Sequence, residues 1–160
     1  MKNFTLLLIT LFIIEPLCSQ EIEFKLKSGN FSIQPNINSN ILDEGDYRML
    51  FFSDIPNSSE KLEMENQGID FLYYLPHNIF VVYLNNSISA EKFEEYNIKS
   101  CNELLPEYKI DNKLKQEEFP EWSVSDDLLH LKLILFKNVK ISEVIDDLKI
   151  YTQSIDNENS

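Results

Sequence analysis

Cysteine, glycine, histidine and basic residues are all scarce in this chain. Two cysteines in 160 residues cannot build a disulfide framework or a Cys-rich zinc module. The three glycines, Gly29, Gly45 and Gly68, stand far apart, which excludes a phosphate-cradling loop. The two histidines, His77 and His130, have no second His or Cys at metal-ligand spacing. There is no Gly-x-Ser-x-Gly nucleophile elbow. Only 14 Lys and Arg stand against 27 Asp and Glu, a formal net charge of −13. Without clustered Lys and Arg to neutralise phosphates, no nucleic-acid partner is expected, and an anionic membrane surface is disfavoured. Asp43-Glu44-Gly45-Asp46 lacks the spacing of a calcium loop. Glu94-Glu95 and Asp146-Asp147 fall on expected helices, where paired carboxylates read as solvated faces. We therefore expect no catalytic, cofactor-binding or metal-binding residues, and no enzyme activity from this chain by itself.

What is present is enough for one packed domain with attachments: 43% of the residues are hydrophobic and 12% aromatic. Lys2 precedes an apolar run of eleven, Phe4 to Ile14, and Pro16 breaks it before Leu17-Cys18-Ser19. That is the layout of a secretory signal peptide, too short in its apolar part to span a bilayer. Residues 1–19 are assigned to it, with cleavage after Ser19 and a secreted destination, extracellular or periplasmic. Cys18 raises the alternative of a lipid anchor, which the bulk of Leu17 disfavours. Cys101 is then the sole cysteine of the mature chain and reads as a small buried hydrophobe.

Residues 20–46 read as one short strand and an extended lead-in. Tyr47 to Phe52 (YRMLFF) reads as a strand. Asn57 is placed as the N-cap of a helix, Glu60 as its capping-box partner and Gly68 as its left-handed stop. Strands follow at Ile69 to Tyr74 and Ile79 to Leu84 around a Pro76-His77-Asn78 turn. A short helix capped by Ser89 then carries Ala90, Phe93 and Tyr96, and a strand runs from Ile98 to Leu105. The β-α-β-β-α-β order over 47–110 predicts a ferredoxin-like α+β sandwich, an antiparallel sheet with two helices on one face. Residues 111–128 read as an acidic linker. Residues 129–155 read as an incomplete second β-α-β unit, with strands at Leu129 to Phe136 and Lys149 to Ile155 around a helix capped by Ser142, and 156–160 as a tail. A repeat that stops halfway suggests a truncated or split reading frame.

Alternation assigns the faces of the sheet. Ile79, Val81 and Tyr83 oppose Phe80, Val82 and Leu84. Tyr47, Met49 and Phe51 oppose Arg48, Leu50 and Phe52. Ile69, Phe71 and Tyr73 oppose Asp70, Leu72 and Tyr74. Both faces are largely apolar, while two helices cover one. The candidate partner-binding face is Phe80, Val82, Leu84, Leu72 and Tyr74, unless residues 129–155 or the N-terminal lead-in supply an internal cover.

Residues 47–114 resemble the N-terminal pro-region of secreted bacterial subtilisin-like serine peptidases, the subtilase family. The resemblance lies in Tyr47-Arg48-Met49-Leu50-Phe51-Phe52, in the stretch from Gly68 through Asn78, in the strand Ile79 to Leu84 and in Leu105-Pro106-Glu107-Tyr108-Lys109-Ile110. The lead-in from Phe24 to Phe31 also resembles the segment after the signal peptide in such proteins. The resemblance implies an intramolecular chaperone and temporary inhibitor, whose sheet packs on the peptidase while a neighbouring extended segment lies in the substrate groove. The catalytic Asp, His and Ser segments of the family are absent. The implied partner is a subtilisin-like peptidase domain, in cis or in trans. The alternative is a cell-envelope interaction module with the same fold and an unrelated partner.

Overall fold

The computed structural model describes residues 21–34, 41–42 and 45–155. The signal peptide assigned to 1–19 and the tail 156–160 lie outside them. The described elements are β1 (Ile22–Leu26), β2 (Gly29–Ile33), β3 (Ile41–Leu42), β4 (Asp46–Phe52), α1 (Ser58–Asn66), β5 (Ile69–Leu75), β6 (Ile79–Leu84), β7 (Ile88–Ser89), α2 (Ala90–Glu95) and β8 (Ile98–Glu103). After these come α3 (Pro106–Lys109), α4 (Asn112–Lys115), a 3-10 turn at Glu121–Ser123, β9 (Val124–Ser125), β10 (Leu128–Leu129) and α5 (Ile141–Lys149).

The main sheet has the order β5-β6-β4-β8, and every neighbouring pair is antiparallel. Both crossovers pass through a helix, α1 between β4 and β5 and α2 between β6 and β8. The fold is therefore mixed α+β with the ferredoxin-like arrangement expected.

Its first helix is defined by its ends. The Asn57 side-chain oxygen accepts from the backbone N–H of Ser59 at 2.9 Å and of Glu60 at 3.1 Å. The Glu60 carboxylate accepts in return from the Asn57 N–H at 2.7 Å, completing the capping box. Gly68, at φ +95°, takes the left-handed position after the last turn, where only glycine is unstrained. Between these signals α1 buries Met64 alone, so its boundary chemistry rather than an apolar stripe makes it a helix. At α2 the expected cap is only partly realised. Ser89 stands at the N-cap position but its side chain makes no capping bond, and its backbone pairs instead with Ile41 of β3.

Leu50, Phe52, Phe71, Phe80, Val82 and Leu84 of the sheet pack with Met64, Phe93 and Tyr96 of the helices in one buried core. Phe80 meets Phe52 and Phe71 edge-on, at centroid separations of 5.7 and 5.2 Å. Each such side chain contributes about 1.5–3 kcal/mol by leaving water.

Three expectations are corrected outside the sandwich. The lead-in is not extended after one strand. It folds back through Lys27 and Ser28 as the antiparallel hairpin β1–β2, in which Phe24 faces Phe31. The stretch 111–128 holds α4, the 3-10 turn and β9, so it is not a featureless linker. The strand expected over Leu129 to Phe136 is absent beyond Leu129, which pairs with Val124, and Lys149 ends α5 where a strand was expected to begin. β-Propensity becomes a strand only with a partner ladder, and none of the described residues supplies one here. Helix α5 begins one residue before the expected cap Ser142, with the Glu143 carboxylate accepting from the Lys140 N–H at 3.3 Å.

Candidate functional site

The proposed docking face is the element of the sequence reading most changed by the structure. Phe80, Val82 and Leu84 point into the helix-covered core, where they are 4%, 0% and 0% exposed. They hold the sandwich together and are closed to a partner.

Leu72 and Tyr74 do not share that face with each other. The pairing of β5 with β6 slips between Phe71, opposite Val82, and Tyr73, opposite Val81. Leu72 is the extra residue of this bulge, and a bulge reverses the alternation beyond it. Ile69 and Phe71 consequently join the helix-side core, and Tyr74 packs on Phe80 at 5.0 Å. Leu72 and Leu75 belong to the opposite face. The reversal is invisible in a run such as Leu72-Tyr73-Tyr74, because apolar residues satisfy either phase.

That opposite face carries Met49, Ile79 and Val81, all buried. The hairpin covers it. Ile22, Phe24 and Leu26 from β1, with Phe31 and Ile33 from β2, pack there together with Leu104, Tyr108 and Phe136. The Tyr108 ring meets Phe31 edge-on at 4.6 Å and Phe24 at 6.0 Å. Ser28 Oγ donates to the Tyr108 carbonyl at 2.7 Å, and Lys115 Nζ donates to the carbonyls of Ser28 and Glu107 at 2.9 and 2.6 Å. At the other end Phe136 stacks on Tyr47 at 4.8 Å and lies 5.7 Å from Tyr73. The N-terminal lead-in is thus the internal cover that stood as the alternative to a partner. Phe31, Tyr108 and Phe136 were the residues the sequence reading did not single out for this role. Phe31 and Tyr108 each stand as one aromatic in a polar stretch, and Phe136 closes an apolar run read as a strand.

Remaining chemistry is sparse. Among the described residues no group of three or more His, Cys, Asp or Glu side chains is placed to hold a metal ion. His77 lies in the β5–β6 turn with φ +64°, and His130 Nε2 sits 2.7 Å from Ser125 Oγ. Burial, opposed by Arg48 and reinforced by Asp46, pushes the Cys101 thiol up to about 12, which leaves it protonated and a poor nucleophile. Large apolar side chains open to solvent occur before β8 at Ile55, Leu62, Tyr73 and Tyr74, and in greater number after it. Trp122 is 82% exposed, and Phe119, Leu131, Leu133 and Ile134 are exposed with it.

A family model described as a domain of unknown function, DUF8729, matches residues 25–105, half of the chain. The chain belongs to this family. The DUF8729 match opens at Lys25 near the end of β1 and closes just past β8, so the end of β1, the whole of β2 and the ferredoxin-like sandwich fall inside one family unit. This agrees with their shared apolar interface. Residues 106–155, which carry the exposed Trp122 and Ile134, fall outside the DUF8729 match. Neither the curated proteins nor the solved structures compared with the chain return a match.

Proposed function

We propose that this chain is a secreted, non-catalytic binding module of the pro-region type, which engages a subtilisin-like serine peptidase in cis or in trans as folding aid and temporary inhibitor. The observation that carries the reading is the row of exposed apolar side chains after the last strand of a ferredoxin-like sheet, with Trp122 at its centre. Such a row, placed beside the sandwich, offers apolar anchors to a partner surface, and exposed aromatics are favoured anchors of protein contacts. The motif stretch Gly68 to Asn78 supports it by forming the left-handed stop, strand β5 and the following turn. Because the hairpin occupies the second sheet face, the contact in this reading falls on residues 119–124 and not on an open sheet.

Titrating the full chain into a panel of subtilisin-like peptidases, with a chromogenic peptide as substrate, tests the proposal. Hydrolysis is expected to slow, and Trp122→Ala is expected to weaken the effect on the order of tenfold or more. Unchanged hydrolysis across the panel would overturn action in trans.

A further inference from the structure

We infer, on the strength of the peptidase-binding reading above, that Ser123 is the positioning residue that holds Trp122 pre-ordered for an apolar pocket with a basic rim on that peptidase. Trp122 is the only tryptophan of the chain. It is 82% exposed, yet the residue after it is 4% exposed. Every polar group of Ser123 is engaged. Its N–H and its Oγ both donate to the Pro120 carbonyl, at 2.8 and 2.7 Å. Its own carbonyl accepts from the His130 N–H at 2.7 Å. The Val124 N–H donates to the Glu121 carbonyl and closes the 3-10 turn from the other side. Pro120 enters that turn at φ −60°, the value its ring fixes.

Behind the turn, β9 and β10 pair Val124 with Leu129 and Ser125 with Leu128. Asp126 and Asp127 close this hairpin with φ +51° and +61°, the left-handed pair that a tight two-residue turn requires. Ser125 Oγ lies 2.7 Å from His130 Nε2, a further tie across the open end. The backbone that carries the indole is thus fixed before any partner arrives. An anchor ordered in advance loses less entropy on binding than one on a slack loop. Charge narrows the partner. Glu117, Glu118, Glu121, Asp126 and Asp127 are all exposed, and residues 116–131 contain no Lys or Arg. A pocket that takes the indole meets these carboxylates at its edge, and an edge of Lys or Arg attracts them.

Inhibition of the peptidase panel by the full chain, read together with the time-resolved anisotropy of Trp122 in the free chain, tests this. Ser123→Ala keeps the backbone bonds of the turn and deletes the Oγ bond. It is expected to enlarge the fast loss of anisotropy, to leave the far-UV spectrum unchanged and to weaken inhibition on the order of tenfold. Pro120→Gly loosens the same turn from its other end and is expected to do the same. Inhibition by the wild type is expected to weaken as salt rises from about 10 mM to about 200 mM. Inhibition that neither variant weakens, anisotropy that neither changes, or inhibition indifferent to salt would overturn the inference and leave the peptidase reading standing. A wild type that inhibits no peptidase would overturn action in trans, and the inference with it.

Discussion

A methyl group added at Gly68 would stand 2.5 Å from Asn86 Nδ2 and 2.9 Å from its Cγ. Asn86 is no bystander there, since its Nδ2 donates to the Gln67 carbonyl at 3.2 Å at the end of α1. Gly68→Ala therefore meets both a left-handed φ and a clash, and is expected to cost about 1–3 kcal/mol in urea unfolding. Asn86→Gly in the same chain should recover the steric part only. Cys101 makes a second residue-scale prediction. Its thiol is raised from 9.0 to about 12, chiefly by burial, so the fold holds that proton more tightly than the unfolded chain does. The stabilisation is complete below pH ~9 and is lost as pH climbs toward ~12. Thermal melts of the wild type and Cys101→Ala should diverge over that window in this direction. Iodoacetamide at neutral pH should label Cys101 slowly in the native protein and readily in urea.

At the scale of the element, the β5 bulge and the β1–β2 hairpin decide which surfaces exist. Phe80→Ala is expected to cost about 3–5 kcal/mol, because its ring lies between Phe52 and Phe71 under the helices. Retained stability would return Phe80 to the surface role suggested by alternation alone. Phe24→Ala tests the cover on the other face, where Phe24 is 4% exposed and packs with Met49 and Val81. It should lower stability and raise binding of an apolar dye, through newly wetted Met49, Ile79 and Val81. An unchanged dye signal would mean that the hairpin is not what keeps that face dry.

Taken whole, the molecule is three layers, with helices, a four-stranded sheet and a hairpin stacked in that order and a more open C-terminal stretch beside them. Two separate cores mean that each sheet face contributes independently to holding the sandwich. A net charge of −13, from 27 Asp and Glu against 14 Lys and Arg, works against this compact state by self-repulsion. Among the described residues ion pairs join Arg48 with Asp46 and Lys92 with Glu95. Raising salt from about 10 mM to about 200 mM screens that repulsion. The melting temperature is expected to rise by roughly a few degrees, readable by circular dichroism. A fall with salt would show that attractive pairs outweigh the repulsion.

The sequence by itself determined what short-range physics controls. Asn57 with Glu60 and Gly68 delimit α1 through bonds made within a few residues. The apolar runs Tyr47 to Phe52 and Ile79 to Leu84 are β-prone wherever they lie, and the order of these elements leaves few topologies beyond the ferredoxin-like one. Only the tertiary structure decided which apolar residues face a partner. The Leu72 bulge shifts β5 by one residue relative to β6, a choice set by the pairing and not by Leu72 itself. The first part of the lead-in became a hairpin because Phe24, Phe31 and Ile33 found a dry sheet face to bury against. Among the described residues Leu131, Leu133, Ile134 and Leu135 stayed outside any ladder for the complementary reason. Strand propensity is local, but a strand exists only when a second backbone arrives to pair with it.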